Sequence, residues 1–416
     1  MITKLFYNAS IYTPVDHGSP AAGLAQSEIK HFEHGAVLVK NGMIADIGEE
    51  NKVISRTGSE KIHQKIDCKG RCFIPGFVDP HTHMCFARTR EGEFEQRIQG
   101  IPYLEILKQG GGILSSVRAV AQADEDELFE VTIKNMLSAL KTGTTTLEIK
   151  SGYGLDTENE LKMLRVIKKV AEHTPLDVVP TFLGAHAVPL EYIDNPDAFV
   201  NLVVDEMLPA VKDQGIAEYC DVFCEQGVFS LSQSRKILKA SQGLGLGIKI
   251  HADEVNDLGG GGLAAELGAV SADHLLAVST ENIDKMAKAG VIATLLPATA
   301  YSLRKPCARA KHMIERGLAV ALATDCNPGS SYTWSMPFIF GLAVMNMGLS
   351  PAQALTASTL NSAYVLGMEK QAGSLDKGKQ ADFLMLEGKT PSILAYNAGG
   401  CPVKAVYKLG EPVSLN

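Results

Sequence analysis

Two histidines one residue apart are the first candidates for chemistry in this sequence, in the segment PGFVDPHTH. Side chains of an extended strand repeat every two residues, so His81 and His83 would point to the same face. Two imidazoles on one face make up half of a typical zinc site. A His-x-His pair alone is a weak signal, because it also occurs as an ordinary polar strand end.

Three further polar groups follow apolar, strand-like runs later in the chain. His251 opens the sequence HADE, Asp273 and His274 end another run, and Asp325 ends a third. Each alone has a structural explanation, such as a locally hydrogen-bonded histidine or an aspartate that caps a turn. Four such groups at strand ends together favour a metal site with side chains that move protons beside it.

Eight apolar runs precede or carry these groups, and helix-like stretches separate them. Continuous apolar runs are typical of parallel strands that are buried on both faces. Eight strand-plus-helix units predict an α/β fold, a (β/α)8 TIM barrel with its active site at the C-terminal ends of the strands. An open doubly wound sheet is the alternative, and the polar groups at matching strand ends favour the barrel. The runs are Phe73–Val78, Thr144–Ile149, Val178–Leu183, Tyr219–Cys224, Gly247–Ile250, Val270–Asp273, Val291–Leu296 and Leu318–Ala323.

The two ends of the chain have a different character, with short β-like runs broken by turns. We expect residues 1–72 and 373–416 to pair into one small β-sandwich domain, and residues 73–372 to form the barrel. Residues 21–34 resemble an insertion or loop, and the sequence assigns them no element.

Composition narrows the classes of function. A net charge of −8 argues against a nucleic-acid partner, because phosphate binding requires a basic face. No apolar span reaches the roughly 18 residues of a transmembrane helix, so we expect no membrane partner. The eight cysteines follow no disulfide pattern, which favours reduced thiols and a cytoplasmic location.

The motifs and their order resemble the amidohydrolase superfamily over nearly the whole chain. The segments PGFVDPHTH, HADE, ADH, ATD and the C-terminal GSLDKGKQAD carry the resemblance. Binuclear members bridge two metals through a carbamylated lysine after the fourth strand, where this chain has Glu225 instead. Lys150 follows the second run, and it could be a salt-bridged lysine or one near the substrate.

The chain is therefore more similar to the mononuclear members. The resemblance, together with the strand-end positions, implies one zinc or iron ion per chain, since histidine nitrogen and carboxylate oxygen suit both metals. The expected metal ligands are His81, His83, His251 and Asp325.

Three local segments further resemble the imidazolonepropionase family: KSGYGL, FLGAHAVP and TDCNPGSS, together with Arg90. The resemblance implies hydrolysis of the ring amide of 4-imidazolone-5-propanoate to N-formimidoyl-L-glutamate, a step of histidine degradation, by a metal-activated water. The substrate-binding residues that it implies are Arg90, Tyr153, His186, Glu254, Asn327, Gly329 and Ser330.

The same resemblance implies the catalytic roles. Glu254 is expected to deliver a proton to the departing ring nitrogen. Either Asp325 or His274 would accept the proton of the attacking water, and the sequence leaves both open.

A substrate with a carboxylate tail agrees with these residue types. A planar guanidinium grips a carboxylate through two parallel hydrogen bonds, which Arg90 could make with Tyr153 adding a hydroxyl. The alternatives are an Arg90 paired with Glu91 or Glu93, a Tyr153 that only packs in its loop, and a His186 that hydrogen-bonds backbone.

Two rival functions remain at this stage. A deaminase of an uncharged heterocycle could use the same metal, Glu254 and His274, but it would release ammonia and would need no arginine. A barrel that has lost its activity would be expected to lack a ligand, and all four are present. The partner is expected to be a small molecule, and a homodimer stays open because such barrels often pair.

Overall fold

The computed structural model describes residues 2–101, 105 and 110–414 of the chain. In chain order the strands are β1 (Thr3–Pro14), β2 (Ile29–Lys40), β3 (Met43–Glu49), β4 (Gln64–Asp67), β5 (Cys72–Pro75), β6 (Phe77–Asp79), β7 (Thr144–Lys150), β8 (Asp177–Ala185), β9 (Tyr219–Cys224), β10 (Gly247–Ala252), β11 (Ser271–His274), β12 (Ile292–Leu295), β13 (Val320–Leu322), β14 (Phe383–Leu386), β15 (Val403–Lys408) and β16 (Glu411–Pro412).

The helices among the described residues alternate with the strands through the central part of the chain. They are α1 (Glu50–Thr57), α2 (Glu91–Ile98), α3 (Ile113–Gln122), α4 (Glu125–Lys141), α5 (Thr157–Glu172), α6 (Pro196–Leu202), α7 (Leu208–Gln214), α8 (Leu231–Gly243), α9 (Gly260–Leu267), α10 (Thr280–Ala289), α11 (Pro297–Ser302), α12 (Ala310–Glu315), α13 (Met336–Met347), α14 (Pro351–Ala357), α15 (Leu360–Val365) and α16 (Ile393–Tyr396). Within the described ranges, none of these helices combines the length and apolarity that crossing a bilayer requires.

Strands β6 to β13 are parallel and neighbour one another in chain order, as a (β/α)8 barrel requires. The first and last strands meet through a parallel bridge between Thr82 and Cys326. The buried carboxylate of Asp79 tightens this seam, because it accepts hydrogen bonds from the Thr324 backbone N at 3.0 Å and from Thr324 Oγ1 at 2.6 Å. The predicted TIM barrel is confirmed.

The predicted first strand, Phe73–Val78, was wrong as a single element. It is two strands: β5 pairs with β1 and β14 in the terminal sheet, and β6 begins the barrel. The change of sheet occurs at Gly76, where a Cβ would overlap the side chain of Thr145. The sequence is apolar on both sides of Gly76 because both strands are buried, so the pattern could not reveal the break. The domain division at residues 72 and 373 stays a prediction.

The terminal segments form one sheet, in the order β16-β15-β14-β5-β1-β2-β3 with β4 also pairing with β1. One face of the sheet curls around an apolar cluster to which Ile44 of β3 and Tyr407 of β15, near opposite ends of that order, both belong. The Ile44 backbone N donates to the Lys379 carbonyl at 2.9 Å, which brings the two ends together. The predicted small sandwich-like domain built from both termini is confirmed.

Residues 21–34, which the sequence left unassigned, form a short 3-10 turn at Gly23–Ser27 followed by the start of β2. Gln26 is fully buried, and its amide donates to the Val320 carbonyl at 3.2 Å and accepts from the Val320 N at 3.0 Å. This segment therefore continues the hydrogen bonding of the last barrel strand. The segment meets the barrel through the Gln26 amide and a backbone bridge between Ala22 and Ala319, and neither contact produces a hydrophobic periodicity in the sequence.

We predict that Gly76→Ala destabilises the fold by about 1–3 kcal/mol, because an added methyl group must displace the packed Thr145 side chain. Gly243→Ala is the matched control, since a Cβ there meets nothing within 4 Å and alanine favours the helix. Urea unfolding of the two variants measures the difference. Equal midpoints would show that the close approach at Gly76 carries no cost.

Candidate metal centre and active site

Three imidazole nitrogens and one carboxylate oxygen converge at the C-terminal mouth of the barrel. His83 Nε2 lies 3.2 Å from His81 Nε2 and 3.4 Å from His251 Nε2. Asp325 Oδ1 lies 3.5 Å from His81 Nε2 and 3.4 Å from His83 Nε2. Ligands about 2.0–2.1 Å from a tetrahedral ion stand about 3.3 Å apart, so these four atoms have the spacing of a coordination shell. All four side chains are buried.

The protonation of His81 and His83 also suits a metal. Burial lowers the pKa of His81 and of His83 well below the usual value for histidine. Their rings are therefore neutral, and each can present a nitrogen lone pair, as metal binding requires.

The barrel places these candidate ligands at the ends of different strands. His81 and His83 follow β6, His251 lies in β10, and Asp325 follows β13. Asp325 has a φ of 52° and the neighbouring His274 has a φ of 75°, both in the left-handed region that non-glycine residues rarely adopt. Such strain persists where the surrounding structure enforces it, and it concentrates at functional sites.

An outer layer of polar groups fixes the orientation of the ligands. Asp273 Oδ2 lies 2.6 Å from His81 Nδ1, and Asp221 Oδ2 lies 2.9 Å from His251 Nδ1. Thr299 Oγ1 donates to Asp325 Oδ2 at 2.5 Å. A carboxylate on the far nitrogen of a ligating histidine sets its tautomer and raises its basicity. Sequence reasoning missed Asp221, although a charged residue inside the apolar run YCDVFC was a usable signal.

Lys150 belongs to a buried charge network beneath this cluster. Its Nζ lies 2.7 Å from Glu148 Oε2 and 2.8 Å from Asp221 Oδ2, and Lys249 Nζ lies 2.6 Å from Glu148 Oε1. Burial opposes the charge of Lys150, but Asp221 and Glu148 offset it and raise its pKa above the usual value. A lysine that stays protonated between two carboxylates cannot be carbamylated to bridge two metals. Of the two roles left open, the salt-bridged one is observed.

A cavity of about 420 Å³ opens over the converging ligands. All of the predicted substrate-binding residues line it, together with His274: Arg90, Tyr153, His186, Glu254, Asn327, Gly329 and Ser330. Sequence reasoning missed Arg97, Phe223 and Val255, which also line the cavity. They stand outside the recognisable motifs, and only the packing of α2 and of the strand ends brings them here.

Arg90 lies at one end of the cavity and pairs with Glu93, as one of the alternatives anticipated. Glu93 Oε2 accepts from Arg90 Nε at 3.0 Å and from Nη2 at 2.6 Å. The guanidinium packs against Gly329, where a Cβ would lie 2.6 Å from Nη1. A larger residue at 329 would therefore have to displace the end of the arginine side chain.

His186 and Tyr153 form a wall beside His83. The His186 ring stacks on that of His83 at 4.9 Å, and the Tyr153 ring lies 5.4 Å from His186. His186 Nδ1 lies 2.9 Å from the Gly152 carbonyl, so Nδ1 carries the proton and Nε2 remains an acceptor. Burial lowers the pKa of His186 to about 3, which keeps the ring neutral.

Asn327 shapes the loop that follows the last strand. Its Oδ1 accepts from the backbone N of Gly329 at 2.8 Å and of Ser330 at 2.7 Å. Its Nδ2 donates to the Asp325 carbonyl at 2.7 Å. The amide of Asn327 is thus already engaged within the loop, which fixes how Ser330 faces the cavity.

Glu254 stands across the cavity from these groups, with Oε1 3.6 Å from His274 Nδ1. Burial, and then the negative charge of Asp325, raise the pKa of Glu254 to about 7. A carboxyl group with a pKa close to neutral can both donate and accept a proton under ordinary conditions.

Comparison with known proteins agrees with this arrangement. The sequence model of the amidohydrolase family matches residues 73–413. The chain belongs to the amidohydrolase family. Amidohydrolases are metal-dependent hydrolases, and the cluster of three histidines and an aspartate has the side chains that such a metal needs.

Curated relatives show which members of the amidohydrolase family this chain is similar to in sequence. Imidazolonepropionase of Desulfotalea psychrophila is 63% identical, covering 99% of this chain and 100% of the relative. Imidazolonepropionase of Syntrophobacter fumaroxidans is 59% identical, covering 99% and 97%. The predicted resemblance to the imidazolonepropionase family is therefore confirmed.

Solved structures share the fold. E. coli guanine deaminase superposes with a TM-score of 0.73 at 14% identity, covering 100% of this chain and 99% of that one. An adenosine deaminase from Xanthomonas campestris with bound zinc gives a TM-score of 0.72 at 17% identity, covering 99% and 92%.

We predict that Lys150→Met costs about 3–5 kcal/mol of unfolding free energy, because it removes the lysine cation that Asp221 contacts and leaves Glu148 with Lys249 alone. Lys285→Met is the control, since the exposed Lys285–Glu281 pair should contribute less than about 1 kcal/mol. Urea unfolding of the metal-depleted proteins measures both. Similar losses in the two variants would argue against a buried, charged Lys150.

Proposed function

We propose that this chain hydrolyses the ring amide of 4-imidazolone-5-propanoate to N-formimidoyl-L-glutamate in histidine degradation. The observation that carries the proposal is one cavity that joins a metal-ligand cluster to a partly buried arginine, Arg90. Such a cavity suits a small cyclic amide with a carboxylate tail. The 63% identity to an imidazolonepropionase over nearly the full chain supports the same substrate.

We assign one zinc or iron ion to the cluster, with His81, His83, His251 and Asp325 as ligands. When bound, the ion would lower the pKa of water toward about 7 and polarise the amide carbonyl. The oxygen and nitrogen donors fit both metals, so the choice between zinc and iron stays open in this proposal.

Substrate binding is assigned to the cavity walls. Arg90 would exchange part of its pairing with Glu93 for the propanoate tail, because a guanidinium holds a carboxylate through two parallel hydrogen bonds. Tyr153 would add a hydroxyl donor. His186 Nε2, an acceptor in the assigned tautomer, suits a ring N–H.

Two proton transfers complete the reaction. Asp325 or His274 accepts a proton from the attacking water, whose oxygen bonds to the ring carbonyl carbon. Glu254 donates a proton to the ring nitrogen as the carbon–nitrogen bond breaks, which leaves a carboxylate and a formimidoyl group. The near-neutral pKa of Glu254 supports this assignment.

Location and assembly remain predictions. All eight cysteines are free thiols, which agrees with the reducing cytoplasm that we propose for this chain. A homodimer also stays a prediction.

Turnover of the purified protein tests the proposal directly. With 4-imidazolone-5-propanoate we expect loss of the ring absorbance, formation of N-formimidoyl-L-glutamate and no ammonia. A heterocycle deaminase with the same metal cluster would release one ammonia per turnover, so an ammonia assay on a panel of bases separates the two functions. Ammonia release, or no turnover of the imidazolone, would contradict the proposal.

We predict that Arg90→Lys raises KM by a factor that corresponds to about 1–3 kcal/mol, because an ammonium cannot reproduce two parallel hydrogen bonds. The unfolding transition should change little. Arg165→Lys, in an exposed pair with Glu125, is the control. An unchanged KM in Arg90→Lys would show that another group holds the tail.

We predict that Glu254→Gln lowers kcat by about 10²–10⁴-fold with near-normal metal content, since glutamine keeps the shape but cannot titrate. Glu191→Gln, on the exposed surface, should leave kcat unchanged. A Glu254→Gln enzyme with kcat within a few-fold of the parent would remove Glu254 from the reaction.

A further inference from the structure

The loop that carries Glu254 lies between two buried carboxylates. On one side, Asp253 Oδ1 accepts from the backbone N of Leu258 at 3.1 Å, of Gly259 at 3.0 Å and of Gly260 at 2.9 Å. Asp253 Oδ2 accepts from Gly261 N at 2.9 Å. These bonds tie the start of the loop to the first turn of α9.

On the other side stands Glu225, the residue that follows β9 and is only 4% exposed. Its Oε2 accepts from the backbone N of Val255 at 2.9 Å and of Asn256 at 3.4 Å. Its Oε1 accepts from Asn256 Nδ2 at 3.0 Å and from Gln226 N at 2.8 Å. One side chain therefore fastens the two residues after Glu254 to the end of the neighbouring strand.

Burying the Glu225 carboxylate costs more free energy than a purely structural role would justify. Among the described residues, Glu225 has no ion pair, so its burial is compensated by hydrogen bonds from the loop. Burying a carboxylate without a cation is expensive unless several such bonds satisfy it. All of them come from Gln226 and the segment just after Glu254, which indicates that this segment is what the carboxylate serves.

The backbone just before Glu254 is also hydrogen-bonded to the loop after β11. The Asp253 carbonyl accepts from Ala277 N at 2.8 Å, and the Ala252 carbonyl accepts from Leu275 N at 3.1 Å. These bonds fix the backbone just before Glu254 and just after His274, the two residues whose side chains approach each other. The position of the Glu254 carboxyl therefore depends on backbone restraints and not on the metal ligands alone.

We propose that Glu225 is a positioning residue that holds the 253–256 loop so that Glu254 reaches the scissile amide. This inference rests on the proposed function, since it acts through the proton transfer assigned to Glu254. A proton donor must lie within hydrogen-bond distance of the accepting atom, and a misplacement of about 1 Å can cost roughly 100-fold in rate.

A double-mutant cycle with 4-imidazolone-5-propanoate tests the proposal. Glu225→Gln replaces one accepting oxygen by an amide NH2 group, which cannot accept from the loop N–H groups that it faces. We expect kcat to fall about 10- to 100-fold, with KM and metal content near those of the parent. In the Glu254→Gln background the same change should lower kcat no further, because the group that it positions is already gone.

Two further variants keep the test decisive. Asn256→Ala removes the bond to Glu225 Oε1 and preserves the carboxylate, so it should lower kcat by a smaller factor that also vanishes in Glu254→Gln. It replaces Glu225→Gln if that variant does not fold. Asp382→Asn, which removes a buried carboxylate paired with Lys408 in the terminal sheet, is the control and should lose stability while keeping kcat.

The outcomes separate this inference from the proposed function. Equal losses of kcat from Glu225→Gln in both backgrounds, or no loss in the parent, would overturn the positioning role alone. Loss of metal in Glu225→Gln would overturn it as well. Full turnover in Glu254→Gln would overturn both the positioning role and the proton transfer on which it rests.

Discussion

The closure of the barrel between its first and last strands is the constraint on which the site depends. His81 and His83 follow β6 and Asp325 follows β13, so these donor atoms meet only if the two strands are neighbours. The Asp79 carboxylate, bonded to Thr324, and the backbone bond from His83 N to the Cys326 carbonyl at 2.9 Å hold that seam. A doubly wound open sheet with the same motifs would leave the ligands apart.

Charge balance is the second condition that shapes this interior. Asp221 and Asp273 orient the histidines, yet each brings a negative charge into a buried region. Lys150 and Lys249 compensate part of it from below, and a divalent cation would compensate the remainder from above. The two lysines thus allow carboxylates to stand behind the imidazoles without the large cost of unpaired buried charge.

The sequence predicted those parts of the structure in which the type of a residue at a strand end indicates the chemistry that it can perform. The convergence of the His-x-His pair, His251 and Asp325 could be predicted, because the strand ends of a barrel meet at one mouth and few residue types can bind a metal. Gly76 could not be recognised as a boundary between sheets, since the residues on both sides are equally buried. The roles of Asp221 and Glu225 depend on which strands are neighbours, and the pattern of residue types along one sequence does not contain that information. Gln26 was missed for the same reason.

X-ray absorption of the protein loaded with one equivalent of zinc tests the central claim most directly. The account predicts a first shell of nitrogen and oxygen at about 2.0–2.1 Å with the multiple scattering of three imidazoles. It also predicts no metal–metal distance of about 3.5–4 Å when a second equivalent is added. A sulfur shell at about 2.3 Å, fewer than three imidazoles, or a second metal at that spacing would contradict it.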